Sequence, residues 1–281
     1  MAPEQTGPRE GIILRRPLAA YFVVAFALSW LVELALVASQ RGWLARPVPF
    51  SLHYLASYGP AVAGILVTGL TVGKRGLSDL LGRVLKWRVG WGWILISTTS
   101  PAALFVLGLT IARIASGDWP DVRDLGQVNY LPYLGIGALP FWFLTYGLGE
   151  EIGWRGYALP RLQRTRTAAS ATLILGLLWA LWHVPAFFYL DTYEQLGLVM
   201  LPAFALSVLC GAVVYTWLYN STGGSVLMSA LFHAVFNFFS ASQAGQGIVQ
   251  IVMTAGIIVA ALVIPRRYGL EHFSTRPRHS L

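Results

Sequence analysis

The chain has 281 residues, of which 56% are hydrophobic and only 11% are charged. An ordinary soluble domain has about 25% charged residues, so this composition excludes a cytosolic globular enzyme, a disordered chain and a coiled coil. Cys210 is the single cysteine, which excludes a disulfide framework. At about 20 residues for each membrane-crossing helix, the length predicts an all-α, polytopic membrane bundle of about eight transmembrane helices.

Eight apolar segments predict these spans. A polar tail, residues 1–17, precedes them, and the first apolar run is too long for a signal-peptide core. We expect helices over residues 18–38, 52–72, 93–115, 140–159, 168–190, 196–219, 224–242 and 248–264. The second is expected to kink at the segment Tyr58-Gly59-Pro60-Ala61. Residues 73–91, which contain two tryptophans, are typical of an interfacial segment.

The fourth span needs a choice of bounds, because residues 130–159 are too long for one straight helix. We place its start near Pro140, since a proline in the first helical turn loses no hydrogen bond. Its end is placed at Leu159, before Pro160. Residues 130–139 are then expected at the outer interface.

The last span is expected to end at Pro265. The chain is thus divided into the polar tail, a transmembrane bundle over residues 18–265 and a basic tail over residues 266–281.

The basic residues predict the orientation. In this layout, 15 of the 20 Lys and Arg residues lie in loops on one side, three on the other and two within spans. Cytoplasmic loops of membrane proteins are enriched in Lys and Arg, so we expect both termini in the cytoplasm and the protein in the cytoplasmic membrane. The formal charge of +8 then has a topological cause, and we expect no nucleic-acid partner.

Ionisable side chains inside spans are costly to bury and are therefore functional candidates. The fourth span contains Glu150, Glu151 and Arg155. Glu151 and Arg155 are four residues apart and should form an ion pair, whereas Glu150 points about 100° away from Glu151. Gly149 and Gly153 form a small-residue face on which a neighbouring helix can approach closely.

Two further spans carry the other candidates. The fifth contains Trp179 and His183, and the seventh contains His233 and Asn237, again four residues apart. At 1.5 Å per residue, Glu150, His183 and His233 can all lie within about 10 Å of the membrane midplane. We therefore expect them to share one polar cavity.

Such a cavity contains groups suited to peptide hydrolysis. A glutamate and a histidine can hold and deprotonate a water molecule, and a histidine and an asparagine can donate hydrogen bonds to the resulting oxyanion. Glu150, His183 and His233 could instead bind Zn²⁺, although the zincin signature His-Glu-x-x-His is absent.

At these residues the sequence resembles the CPBP family of intramembrane proteases, which includes the type II CAAX prenyl endopeptidases and the Abi proteins. The family motifs Glu-Glu-x-x-x-Arg, aromatic-x-x-x-His and His-x-x-x-Asn match, in order, Glu150, Glu151 and Arg155; Trp179 and His183; and His233 and Asn237. Tryptophan stands where the family usually has Phe or Tyr. The resemblance covers about residues 140–240, the expected protease core.

The resemblance implies a role for each matched residue. Glu150 is the general base and His183 helps it to activate water, while His233 and Asn237 stabilise the oxyanion. The structural support comes from Glu151, Arg155 and Trp179. The implied substrate is a membrane-embedded or lipidated protein or peptide. We favour a metal-free mechanism, with Zn²⁺ on Glu150, His183 and His233 as the alternative.

Two other functions are consistent with buried ionisable residues. A proton-coupled transporter could use them as a relay, and an immunity or scaffold protein could keep the fold without catalysis. Outside the motifs, Glu33 should face the bundle and, like Arg113, act as a structural partner or snorkelling residue. We expect His53 at the membrane interface.

Overall fold

The computed structural model describes residues 12–128 and 134–281, and no strand occurs among them. The expected all-α class is confirmed. Most of the polar tail, residues 1–11, lies outside the described residues. So do residues 129–133, which include the beginning of the stretch expected at the outer interface.

The first half of the chain forms four helices. They are α1 (Pro17–Gln40), α2 (Gly59–Thr71), α3 (Gly73–Val84) and α4 (Trp91–Ser116). Two short helical turns, Phe50–Leu52 and His53–Ala56, precede α2. Regular helical hydrogen bonding is then interrupted at Ser57 and Tyr58, at the start of the predicted kink. Pro60 lies in the first turn of α2, where its missing N–H is not needed.

Helix α5 (138–163) carries the first motif and contains two π-helical stretches, Phe143–Leu148 and Trp154–Ala158. Such stretches are rare and frequently occur at functional sites. The expected end at Leu159 is wrong, because the helix continues to Gln163. Pro160 is tolerated in the first turn after a π-helical stretch, where the hydrogen-bond register has already changed.

The second half of the chain forms five helices. They are α6 (Ala168–Trp182), α7 (Asp191–Leu196), α8 (Leu201–Ser221), α9 (Val226–Ser240) and α10 (Ile248–His272). Hydroxyl groups cap α6 and α9: Thr167 accepts from the Ser170 backbone N–H, and Ser225 from that of Met228.

The ends of α6 and α10 differ from the prediction. Helix α6 ends at Trp182 instead of residue 190, because the chain tightens around Pro185 into the 3₁₀ turn Val184–Phe188. Helix α10 continues through Pro265, with non-helical backbone angles at Gly269. A proline within a membrane helix is tolerated where surrounding groups satisfy the freed backbone.

Six segments of the described chain are long and apolar enough to cross a membrane: Pro17–Gln40, Phe50–Thr71, Trp91–Ser116, Ala168–Phe188, Leu198–Ser221 and Ile248–His272. Helix α5 is interrupted by π-helical stretches, and α9 has only 15 residues. The chain is a multi-pass membrane protein. The count of eight spans and the cytoplasmic position of the termini stay predictions.

Glycines in α5 allow close contact with the segment around α2. A Cβ added at Gly149 would lie 2.8 Å from the carbonyl oxygen of Ser57, and one at Gly153 would collide with the carbonyl of Pro60. The predicted small-residue face is confirmed. Helix α5 packs against α9 as well, so the first motif lies between α2 and α9.

The C-terminal tail packs across one end of the bundle. The side-chain amides of Gln163 and Asn220 exchange two hydrogen bonds, of 3.0 and 2.8 Å. The same amides donate to the backbone carbonyls of His279 and His272, both at 2.8 Å. These contacts hold the tail against the ends of α5 and α8.

Candidate active site

A cavity of about 480 Å³ lies between α5, α6, α8, α9 and α10. Its wall contains five of the predicted site residues: Glu150, Trp179, His183, His233 and Asn237. The three motifs, which are separated in the sequence, therefore meet at one cavity. The other two predicted residues, Glu151 and Arg155, are completely buried behind the wall.

One carboxylate oxygen of Glu150 accepts a hydrogen bond, and the other does not. Its carboxylate is 3% exposed, and Oε2 accepts a hydrogen bond of 2.8 Å from Nε1 of Trp179. No hydrogen bond engages Oε1 among the described residues. The contact with Trp179 fixes the carboxylate and leaves one oxygen able to accept a proton from a water molecule.

His183 caps the C-terminal end of α6 and is half-buried. Its Nδ1 lies 2.7 Å from the carbonyl oxygen of Trp179. A carbonyl oxygen only accepts hydrogen bonds, so Nδ1 must carry a proton. In the neutral ring Nε2 then has the free lone pair, which suits this nitrogen to accept a proton.

Glu151 and Arg155 form the predicted ion pair, with Nη1 at 2.9 Å from Oε1 and both side chains fully buried. The guanidinium carbon lies 4.5 Å from the ring centre of Trp179 and 4.3 Å from that of Tyr215. A cation between two aromatic faces is stabilised by both. Tyr215 was not predicted, since an aromatic residue in an apolar span gives no signal of this role.

His233 is linked to the same ion pair. Its Nδ1 lies 3.1 Å from Oε1 of Glu151 and donates to it, which leaves Nε2 for the cavity side of the ring. Asn237 follows one turn later in α9, is half-buried and lines the same cavity. Asn237 can present an N–H group to an oxygen atom that becomes negatively charged, and His233 can do so through Nε2 when both of its ring nitrogens carry protons.

A second polar network lines the opposite wall and was not predicted. Tyr189 donates a 3.1 Å hydrogen bond to Glu33, and the hydroxyls of Tyr189 and Tyr146 lie 2.7 and 3.0 Å from the two nitrogens of His53. Glu33 faces the bundle as expected, at 2% exposure. His53, expected at the membrane interface, is 7% exposed and lines the cavity, and its depth in the membrane stays a prediction.

The candidate metal ligands of the cavity do not form a metal-binding group. Among the described residues, no three His, Cys, Asp or Glu side chains are placed so that they could hold a metal ion. Hydrogen bonds engage Nδ1 of His183, Nδ1 of His233 and Oε2 of Glu150, and they leave Nε2 of both rings and Oε1 of the carboxylate unengaged among the described residues. As placed, these three side chains do not converge on a common point for Zn²⁺, and we derive no step through a metal.

Residues 132–239 match the family described as type II CAAX prenyl endopeptidase Rce1-like. The resemblance to the CPBP family is confirmed. All seven predicted site residues fall within this Rce1-like region.

A relative supports the same assignment. The CAAX prenyl protease 2 of Methanococcus maripaludis is 31% identical over 105 residues. The match covers 34% of this chain and 37% of the relative, so the chain spans little more than a third of that relative's length.

Proposed function

We propose that this protein is a CAAX-type intramembrane endopeptidase that hydrolyses a peptide bond of a membrane-embedded or lipidated protein or peptide. The observation that carries this proposal is the convergence of Glu150, His183, His233 and Asn237 on one cavity. Two of these residues have acceptor atoms available for water, and the other two are suited to donate hydrogen bonds.

The first step is the activation of water. A water molecule held between Oε1 of Glu150 and Nε2 of His183 loses a proton to the carboxylate as its oxygen attacks the peptide carbonyl carbon. The new bond between that oxygen and the carbon converts the carbonyl oxygen into an oxyanion.

The second step is the collapse of the tetrahedral intermediate. Hydrogen bonds stabilise the oxyanion: one comes from Asn237, and the other from Nε2 of doubly protonated His233, whose Nδ1–H stays bonded to Glu151. The C–N bond then breaks, and Glu150 returns its proton to the leaving amine. The products are a carboxylic acid and an amine, and the carboxylate of Glu150 is regenerated.

Glu151, Arg155 and Trp179 act as positioning residues. Trp179 fixes Glu150 through its indole N–H and His183 through its backbone carbonyl. The Glu151–Arg155 pair holds His233 and braces Trp179. Without these contacts the four reacting side chains would sample other rotamers.

The test compares the membrane proteomes of cells that contain the native protein, Glu150→Gln or Glu194→Gln. Glu194 is an exposed carboxylate of α7 and serves as the matched control. Uncleaved precursors should accumulate with Glu150→Gln and not with Glu194→Gln. Equal proteomes in all three strains would contradict the proposal, and proton flux in proteoliposomes without cleavage would favour the transporter hypothesis.

A further inference from the structure

Helix α3 joins the ends of two membrane-crossing segments. The segment Phe50–Thr71 ends two residues before α3 begins, and the segment Trp91–Ser116 begins seven residues after α3 ends. A helix of 12 residues is too short to cross the bilayer, so both of these ends lie at the same membrane surface. Helix α3 therefore lies along that surface, at the level of the lipid headgroups.

One side of α3 is fixed against the bundle by Arg83, which is 6% exposed. Its Nη1 donates hydrogen bonds to the backbone carbonyl of Gly156, at 2.6 Å, and to the hydroxyl of Tyr219, at 3.1 Å. Leu80, three residues earlier, is buried on the same side. Because Gly156 directly follows Arg155, this side of α3 contacts the back of the candidate active site.

A second side of the segment is apolar and exposed. Leu81 and Leu85 are four residues apart, so they share one side of the helix, and both are more than half exposed. Trp87 and Trp91, which follow, are also more than half exposed. Leucines on a helix at the membrane surface insert among the acyl chains, and tryptophans concentrate at the headgroup level. This exposed side thus fits a lipid surface.

The remaining exposed positions are basic. Lys74 and Arg75 are exposed in the first turn of α3, and Arg88 is exposed beyond its last turn. The single carboxylate of α3, that of Asp79, is paired with Arg83 at 2.9 Å. It therefore does not neutralise the three exposed cations, which lie beside the apolar side at the level of the headgroups.

We propose that the α3 segment, residues 73–91, is a docking surface for anionic phospholipids. The phosphate groups contact Lys74, Arg75 and Arg88, and the acyl chains of the same lipids cover the exposed leucines. An acidic protein or a nucleic acid would match the cations but would leave the leucines uncovered. Bound lipid holds α3 against Gly156 and so stabilises the bundle. This inference is independent of the proposed hydrolysis.

The test measures lipid binding to the full-length protein, purified and freed of lipid in a neutral detergent. Native mass spectrometry follows titrations with dioctanoyl phosphatidylglycerol and dioctanoyl phosphatidylcholine. The anionic lipid should bind more tightly and raise the melting temperature more, and added salt should reduce both differences. Equal affinities for the two lipids at low salt would overturn the proposal.

A pair of matched double variants locates the binding surface. Lys74→Gln with Arg75→Gln should weaken binding of the anionic lipid about fivefold for each charge removed. Arg41→Gln with Arg46→Gln removes two exposed arginines from the loop after α1 and should leave the affinity unchanged. Equal losses in the two double variants would show a response to net charge alone and would overturn the proposal.

A second measurement tests the position of α3 without reference to lipid charge. In a Cys210→Ser background, spin labels on Leu81→Cys and Gly82→Cys lie about 100° apart around the helix. A Cβ at Gly82 meets nothing within 4 Å, so the label fits there. In vesicles, oxygen dissolved in the lipid should reach the label at position 81 more readily, and a water-soluble nickel complex the label at position 82. Two labels exposed mainly to the nickel complex would contradict the docking of α3 on lipid.

Discussion

The indole nitrogen of Trp179 donates a hydrogen bond of 2.8 Å to Oε2 of Glu150. The backbone carbonyl of the same tryptophan holds Nδ1 of His183 at 2.7 Å. One residue therefore orients both groups that are proposed to activate water. A phenylalanine at this position could keep the carbonyl contact but could not donate to the carboxylate.

Replacement of Trp179 isolates this contact. We expect Trp179→Phe to lower kcat about 10- to 100-fold, since a hydrogen bond to a charged group contributes about 1.5–3 kcal/mol. The measurement is cleavage of an accumulated precursor in proteoliposomes. Trp217→Phe is the control, because its Nε1 is a buried atom without a hydrogen-bond partner and its ring does not line the cavity. Equal rates for the two variants would argue against the positioning role.

The buried ion pair should matter more for stability than an exposed one. Glu151→Gln leaves the charge of Arg155 buried without its anion, so we expect a loss of about 3–5 kcal/mol in the free energy of unfolding. The melting temperature in detergent reports this loss. Asp121→Asn breaks the exposed pair with Arg123 and should leave the melting temperature unchanged. A normally stable Glu151→Gln protein would contradict the structural assignment.

The close contact between α5 and α2 predicts a steric effect. In Gly153→Ala the new methyl group meets the Pro60 carbonyl, and the strain should cost about 1–3 kcal/mol. Gly82→Ala in α3 adds a methyl group to open space and should be neutral or stabilising by about 0.4–1 kcal/mol. Thermal unfolding of both variants checks the difference, which should disappear if the two helices are not in contact.

Metal removal addresses the mechanism. Because the donor atoms do not form a metal-binding group, we expect full cleavage activity after treatment with a chelator. Elemental analysis of the active protein should find no stoichiometric zinc. One equivalent of zinc, with activity lost on chelation and restored by adding the metal, would instead support the Glu150, His183 and His233 ligand set.

The contact of the C-terminal tail should weaken in acid. Burial, with a contribution from Arg83, lowers the pKa of His279 below its ordinary value of 6.5. A released tail therefore binds a proton more readily than a docked one, and docking loses stability as the pH falls below that ordinary value. Trypsin should cut after Arg278 faster at about pH 5 than at about pH 8, relative to a free peptide of the same sequence.

One histidine variant completes this pH experiment. His279→Gln should reduce the response, because the lowered pKa of His279 couples docking to pH. Stronger protection of the tail in acid would contradict the assignment.

The sequence predicts contacts that depend on short spacings. Glu151 and Arg155 are one helical turn apart, so their pairing follows from the period of the helix. The small-residue face at Gly149 and Gly153 follows in the same way. The meeting of the three motifs at one cavity was expected from their depths in the membrane and from the family resemblance.

The remaining features depend on tertiary contacts that no spacing reveals. The hydroxyl groups that contact His53 belong to residues 93 and 136 positions away in the sequence. The residues next to His53 therefore give no signal that its ring is buried. The π-helical stretches of α5 change the helix period without a recognisable residue signal. The local sequence around Pro265 predicts the end of a helix, yet the helix continues through this residue.

The wall of the cavity draws on residues from beyond the Rce1-like region. Glu33 and His53 come from the chain before it, and Gln250 and Ile257 come from the chain after it. A fragment cut at the boundaries of that region would keep the proposed reacting groups but lose two sides of their chamber. The reacting groups therefore come from one stretch of the chain, whereas two sides of the chamber depend on the stretches before and after it.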